Sequence, residues 1–127
     1  MKIHHTAITV LSLEKSVKFY EDVFGLKVEN TFEKKDLGAK IIVMSDGEGG
    51  RIELFQFKKS GALPENQNNI SVQGVKHIAF EFRDVDAIYN KLKNKYECTE
   101  AKNGISGRYF FVKDPNNILV EIYKSYK

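Results

Sequence analysis

Cysteine, tryptophan and proline are scarce in this chain of 127 residues, which contains one Cys, no Trp and two Pro. The single thiol, Cys98, cannot form an internal disulfide, and this excludes a disulfide-stapled secreted scaffold. No apolar run approaches the length of about 18 residues that a membrane-spanning helix needs, and Met1 runs into a predicted strand without a charged and apolar leader. We therefore expect a cytoplasmic protein without a membrane segment.

A strong excess of charge is also lacking, because 20 basic residues face 17 acidic ones and the formal net charge is +3. The lysines are spread along the chain, and only Lys34-Lys35 and Lys58-Lys59 are adjacent. A nucleic-acid groove needs basic residues clustered on one face. The sequence therefore predicts no nucleic-acid partner, and the lysines are interpreted as solvated faces of helices and hairpins.

The chain does contain an internal repeat. Two short apolar segments carry a histidine, His5 in the first half and His77 in the second. An amphipathic helix follows each one, and each copy ends on an apolar segment that contains a glutamate, Glu53 or Glu121. Apolar residues alternate in the predicted strands and recur at helical spacing in the predicted helices. The pattern predicts an α+β protein in which the order β-α-β-β-β occurs twice.

The predicted organisation is a first module at residues 1–58, a linker at 59–74 and a second module at 75–127. The linker is polar and contains Gly, Pro and three Asn, a composition typical of loops. We expect helices at 13–24 and 85–96. The expected strands cover 3–10, 26–34, 39–45 and 51–58 in the first module, and 76–83, 97–102, 108–113 and 118–124 in the second.

Strand alternation predicts that His5 and His77 lie on the sheet faces that the helices leave open, whereas His4 lies on the helix face as a structural histidine. A lone strand histidine is more often hydrogen-bonded than metal-bound, and a lone strand glutamate is usually solvated. The repeat changes this balance, because carboxylates flanked by large apolar residues are costly to bury without a partner. Two imidazoles and two carboxylates suit Ni²⁺, Co²⁺, Zn²⁺, Mn²⁺ or Fe²⁺ better than Ca²⁺ or Mg²⁺. We predict one divalent transition metal, held by His5, Glu53, His77 and Glu121.

Several segments together resemble a known family, the vicinal-oxygen-chelate superfamily, also called the glyoxalase, bleomycin-resistance and dioxygenase group. The resemblance covers essentially the whole chain. It implies two βαβββ modules that form a partly open barrel around a metal, and it implies a homodimer, since many members are dimers. The segments that carry the resemblance are His5–Val10, Leu13–Leu26 with its Ser16, Phe19-Tyr20 and Gly25, Arg51–Leu54, Val75–Phe80, and Gly107–Ile122 with its Asp114-Pro115.

Within that superfamily, a His-Glu-His-Glu ligand set is similar to the short bacterial glyoxalase I enzymes, which favour Ni²⁺ or Co²⁺. The resemblance implies a small-molecule substrate, the hemithioacetal of methylglyoxal and a thiol, which is isomerised to a lactoyl thioester. Glu53 and Glu121 are the implied proton-transferring residues. Thr9 and Phe57 stand where glutathione-using relatives carry Arg and Asn, which leaves the identity of the thiol open. The implied lining of the substrate cavity is Thr9, Phe55, Phe57, Phe111 and Tyr123.

Other activities of the superfamily stay open. Epimerases that act on coenzyme A esters use similar proton chemistry but typically have Gln at the position of Glu53. Enzymes that modify fosfomycin use His, His and Glu with Mn²⁺, and extradiol dioxygenases use Fe²⁺ but are mostly longer. Non-catalytic drug-binding members lack the metal ligands that this chain retains.

Overall fold

The computed structural model describes all 127 residues, which divide into two compact units, Met1–Ala62 and Leu63–Lys127. Each unit contains a strand, a helix and three further strands, in the order expected from the repeat. Neither helix has the length and apolar character needed to cross a membrane. The elements are β1 (Thr6–Thr9), α1 (Leu13–Phe24), β2 (Lys27–Lys34), β3 (Ala39–Ser45) and β4 (Arg51–Phe57), then β5 (Ile78–Glu81), α2 (Val85–Leu92), β6 (Lys102–Asn103), β7 (Gly107–Lys113) and β8 (Leu119–Ser125).

The four strands of each unit form one open sheet, with the order β1-β4-β3-β2 in the first unit and β5-β8-β7-β6 in the second. The first and last strands of each unit are parallel neighbours. In this register Ala7 lies opposite Glu53, and Ala79 lies opposite Glu121. The chain therefore places the segment before the first strand next to the glutamate of the last strand in both units.

One face of each sheet is covered by the helix of the same unit. Ile52 and Leu54 of β4 are buried together with Tyr20 of α1. In the second unit the fully buried side chains include Phe110 and Ile122, and Val85 and Leu92 of α2 are also buried. Burying one such side chain contributes about 1.5–3 kcal/mol. This layer leaves the opposite face, which carries Glu53 or Glu121, free for other contacts.

Both helices begin at the predicted residue, because a side chain at the N-cap accepts an amide of the first turn. Ser12 accepts from the amide of Lys15, and Asp84 accepts from the amide of Ala87. The second helix ends at Leu92, four residues earlier than the predicted range of 85–96. Its C-cap Lys93 keeps right-handed helical angles, and the amide of Lys95 turns back to the carbonyl of Leu92. Residues 93–96, which the apolar spacing predicts to be helical, therefore form turns after the end of the helix.

The first strand of each unit is shorter than predicted, Thr6–Thr9 instead of 3–10 and Ile78–Glu81 instead of 76–83, so that His5 and His77 immediately precede the strands. The strand predicted at 97–102 is a further difference. Only Lys102–Asn103 forms a strand with β7, together with an isolated bridge between Cys98 and Val112. The amide of Phe111 donates to the Thr99 hydroxyl oxygen at 2.9 Å, while the amide of Thr99 donates to the Phe111 carbonyl. A side chain therefore takes the place of a backbone acceptor, and the regular ladder is interrupted there.

Candidate functional site

The first histidine and glutamate of the predicted set lie side by side. His5 immediately precedes β1, two residues before Ala7, and its Nε2 is 3.6 Å from Oε1 of Glu53. Alternation along the chain directs His5 and Ala7 to the same face. His4, predicted to be structural on the helix face, is exposed, and its Nδ1 lies 3.0 Å from Nδ1 of His5. This contact engages one ring nitrogen of His5 and leaves Nε2 toward the carboxylate.

The second pair repeats this arrangement with a shorter distance. Nε2 of His77 is 3.0 Å from Oε2 of Glu121. Phe111 lies opposite Glu121 in the sheet, and its ring meets the His77 ring edge to face with centroids 5.1 Å apart. The Glu121 side chain is 14% exposed, compared with 25% for Glu53. The second carboxylate is therefore the more enclosed of the two, and it has an aromatic wall beside it.

The donor atoms of each pair fit a shared metal ion. Zinc-type ions bind imidazole nitrogen and carboxylate oxygen at about 2.0–2.2 Å, so that neighbouring ligand atoms of a tetrahedral site lie about 3.4 Å apart. The separations of 3.0 Å in the His77–Glu121 pair and 3.6 Å in the His5–Glu53 pair lie on either side of this value. No group of three or more His, Cys, Asp or Glu side chains gathers anywhere in the structure. Each pair is thus half of the predicted ligand set.

Some of the predicted substrate-binding residues lie beside the His5–Glu53 pair and the others lie beside the His77–Glu121 pair. Thr9 lies opposite Phe55, two positions along β4 from Glu53, and the rings of Phe55 and Phe57 are stacked with centroids 6.2 Å apart. In the second unit, Tyr123 follows Glu121 on the same face of β8, and its hydroxyl lies 2.9 Å from that of Ser106. Each carboxylate is therefore bordered by aromatic side chains of its own sheet.

Sequence reasoning missed an ion pair next to Glu53. Arg51 shares a face with Glu53, and its guanidinium holds both carboxylate oxygens of Glu29, at 2.7 Å from Nε and 3.2 Å from Nη2. The hydrogen bond from Arg51 keeps the pKa of Glu29 below its usual value of 4.5. The pairing register of β2 shifts between Val28 and Asn30, at Glu29. The sequence pattern contains no signal for this shift or for the ion pair. Because the Arg51 guanidinium is already bonded to Glu29, it is not available to bind a negatively charged substrate group beside Glu53.

Comparison with known proteins identifies the family. The model of the Glyoxalase/Bleomycin resistance protein/Dioxygenase superfamily matches residues 2–122. The chain belongs to this superfamily. The duplicated βαβββ architecture and the equivalent placement of the two His–Glu pairs are consistent with that membership.

The relatives with similar sequences carry names that state different activities or no activity. The chain is 30% identical to a lactoylglutathione lyase of Schizosaccharomyces pombe, over 95% of this chain but only 46% of the lyase. It is also 30% identical to the uncharacterized protein YwkD of Bacillus subtilis, over 96% of this chain and 95% of that protein. A mitochondrial methylmalonyl-CoA epimerase of Mus musculus is 25% identical, over 95% of this chain and 71% of the epimerase. The chain thus spans about half the length of the lyase that it matches.

Solved structures show the same fold. A glyoxalase family protein from Enterococcus faecalis superposes with a TM-score of 0.82 and 19% sequence identity, over 97% of both chains. At this identity the likeness concerns the fold alone. The α+β fold predicted from the repeat is therefore confirmed.

Proposed function

We propose that this protein is a metal-dependent lyase of the glyoxalase I type. The proposed substrate is the hemithioacetal of a 2-oxoaldehyde and a thiol, and the product is a 2-hydroxyacyl thioester. His5, Glu53, His77 and Glu121 would hold one divalent transition metal, with Ni²⁺ or Co²⁺ favoured. A single cation with these four ligands requires the two His–Glu pairs to converge on it, in one chain or across a homodimer.

The observation that carries the proposal is the duplication of the pair. Both units bring an imidazole Nε2 within 3.6 Å of a glutamate oxygen, at equivalent positions of a parallel strand pair. At partly exposed side chains such as those of His5 and Glu53, an ion pair contributes little to stability, about 0–1 kcal/mol, so stability gives little reason for repeating the pair in both units. Imidazole and carboxylate are good ligands for the proposed ions. The lactoylglutathione lyase relative supports the assignment of the reaction.

The residues present suit a proton-transfer reaction. A bound divalent metal supplies a Lewis acid that stabilises negative charge on two adjacent substrate oxygens. One glutamate, Glu53 or Glu121, takes the proton from the carbon that carries the sulfur, and a glutamate returns it to the neighbouring carbon. The substrate gains and loses no atoms overall. The aromatic rings of Phe111 and Tyr123 border Glu121, and those of Phe55 and Phe57 follow Glu53, so that both acids face an apolar border.

The metal ligands can be tested by binding before any substrate is chosen. After incubation with Ni²⁺ or Co²⁺ and removal of free ion, we expect about one metal per site. Replacing Glu121→Gln keeps the shape of the side chain and removes its charge, and we expect at least a tenfold loss of metal affinity by titration calorimetry. Glu97→Gln is the matched control, because Glu97 is an exposed glutamate of the same unit and lies outside the pair.

The reaction requires a second measurement. The metal-loaded protein is incubated with methylglyoxal and a series of thiols, and thioester formation is followed by the ultraviolet absorbance of the thioester, because substrate and product have the same mass. Sedimentation tests the proposed homodimer. We expect thioester with at least one thiol and none with Glu121→Gln. Absence of metal binding in the wild type, or equal metal binding by the Glu121 and Glu97 variants, would overturn the proposed metal centre. Metal binding without product would overturn the lyase assignment and retain the metal centre.

A second candidate is an epimerase that acts on a coenzyme A ester. It is favoured by one observation, the 25% identity with methylmalonyl-CoA epimerase over 95% of this chain. Such an epimerase would use the same pair of carboxylates to remove a proton from one face of a carbon and return one to the other face. Exchange of the substrate α-hydrogen with deuterated water, without thioester formation from methylglyoxal, would favour this alternative.

A further inference from the structure

A cavity of about 370 Å³ lies in the first unit, at the end of the sheet next to the β2–β3 turn. Its volume falls within the range of small-molecule sites, which is about 300–1,000 Å³. Neither His5 nor Glu53 lines it. The charged, amide and aromatic side chains of its lining are those of Glu33, Lys35, Lys40, Gln56, Phe57 and Lys58.

The sheet register places the polar residues of this cavity on the helix side of the sheet. Lys40 lies opposite Glu33 on one neighbouring strand and opposite Gln56 on the other, so the three share a face. Gln56 is three residues from Glu53, and alternation therefore directs it to the opposite face. The amide of Leu13, at the start of α1, donates to Oε1 of Gln56 at 2.7 Å, which confirms this orientation. These polar residues thus lie on the face opposite the proposed metal ligands, whereas Phe57, the neighbour of Gln56 in β4, reaches the cavity from the ligand-bearing face at the end of the sheet.

The lining is positively charged. Lys35, Lys40 and Lys58 contribute three cations and Glu33 contributes one anion, so the formal charge of the lining is +2 at neutral pH. None of these four side chains takes part in an ion pair. The three ammonium groups thus have no carboxylate within ion-pair distance, and an anion bound among them would gain a favourable charge interaction.

Gln56 adds an oriented donor. The hydrogen bond from Leu13 fixes the carbonyl end of the side-chain amide. The amino group, Nε2, has no partner in the structure, and Gln56 lies in the cavity lining. A donor that is held in place before binding loses little entropy when it contacts a ligand.

We propose that this cavity binds the phosphate group of a small phosphate monoester. Lysine ammonium groups bind phosphate as point charges, and the lining contains three lysines and no arginine. A phosphate monoester carries a charge of about −1.5 to −2 at neutral pH, which matches the charge of the lining. Phe57 provides an apolar border for the organic part of the ester.

The test uses the isotope-labelled full chain and two probes, inorganic phosphate and phenyl phosphate, in a buffer free of phosphate. We expect saturable shifts in NMR spectra at the Gln56 side-chain amide and at the backbone amides of Gly38 and Lys40. Phenyl phosphate should bind more tightly than inorganic phosphate, because its ring can contact Phe57. Added sodium chloride should weaken both interactions, since the lysines are exposed.

Substitutions test whether the named lysines hold the phosphate. The double variant Lys40→Ala, Lys58→Ala should lose at least tenfold in affinity for phenyl phosphate. Lys27→Ala is the matched control, because Lys27 is an exposed lysine at the far end of β2. Shifts that do not saturate, or an equal loss of affinity in the Lys27 variant, would overturn the site. Equal affinity for the two probes would overturn its assignment to an ester.

Discussion

At the scale of single residues, the repeat extends to one aspartate in each unit. Asp46 follows β3 and Asp114 follows β7, and Oδ1 of each accepts the amides two and four residues further on. The backbone amide of each aspartate donates to the carbonyl of that fourth residue. The two turns differ in burial, because Asp46 is exposed whereas Asp114 is 4% exposed. The same hydrogen bonds therefore occur in two different solvent environments.

This difference predicts unequal effects of one substitution. Asp114→Ala leaves the buried amide of Asn116 and the partly buried amide of Ile118 without their acceptor, and we expect it to lower the free energy of unfolding by about 2–4 kcal/mol. Asp46→Ala leaves the equivalent amides of the first unit, those of Glu48 and Gly50, to bond with water, and we expect a loss of about 1 kcal/mol. Urea denaturation measures both values. Asp114→Asn, which keeps an acceptor oxygen, should fall between them, and equal losses in the two alanine variants would contradict the role of burial.

At the scale of elements, the two helices differ most at their C-terminal ends. Gly25 follows α1 with a φ of 67°, and its amide donates to the Glu21 carbonyl while the amide of Leu26 donates to the Tyr20 carbonyl. The Gly25–Glu21 bond is the 5→1 bond of the αL C-cap motif, and together the two bonds satisfy carbonyls that a helix end leaves free. The second helix lacks a left-handed residue at this point and is four residues shorter than α1. The glycine thus sets where the first helix ends.

We expect Gly25→Ala to lower the free energy of unfolding by about 1 kcal/mol, because an alanine at positive φ is strained. An added Cβ at Gly25 meets nothing within 4 Å, so steric overlap does not contribute. Gly61→Ala is the control, since Gly61 also has open space and no positive φ. Thermal unfolding compares the two variants. A loss at Gly61 as large as that at Gly25 would show that the strain argument is wrong.

At the scale of the whole molecule, each unit contains one bidentate ion pair between an arginine and a carboxylate. Arg51 holds Glu29 in the first unit, and Arg108 holds Asp86 in the second. The hydrogen bond from each arginine lowers the pKa of its carboxyl below the usual value. A lowered pKa means that the contribution to stability is present above the unfolded pKa of about 4 and is lost as the pH falls through the folded value.

Removing both acids should therefore flatten the acid side of the stability profile. We expect the double variant Glu29→Gln, Asp86→Asn to be less stable than the wild type at pH 7, with the difference disappearing as the pH falls below 4. Urea denaturation across this pH range measures the profile. The matched variant Glu48→Gln, Glu100→Gln changes one exposed acid outside the ion pairs in each unit. It should retain the wild-type slope, and an equal flattening would show that the two arginines do not cause the effect.

The sequence by itself determined the repeated element order and the faces of the site residues. Periodicity is a local property, and the apolar alternation around Glu53 and Glu121 is sufficient to predict their faces. Both helices begin where Ser12 and Asp84 predict, because an N-cap acts within one turn. The convergence of all four proposed ligands on one metal stays a prediction.

Only the tertiary structure decided which remote residues meet. The register of β2 brings Glu29 to Arg51, the Thr99 hydroxyl interrupts the strand predicted at 97–102, and the β2–β3–β4 order gathers the lysines of the phosphate cavity. These contacts depend on strand register and on side-chain competition for backbone amides. The periodicity of a single segment determines neither the register nor the competition for amides, because both arise only when separate strands are paired.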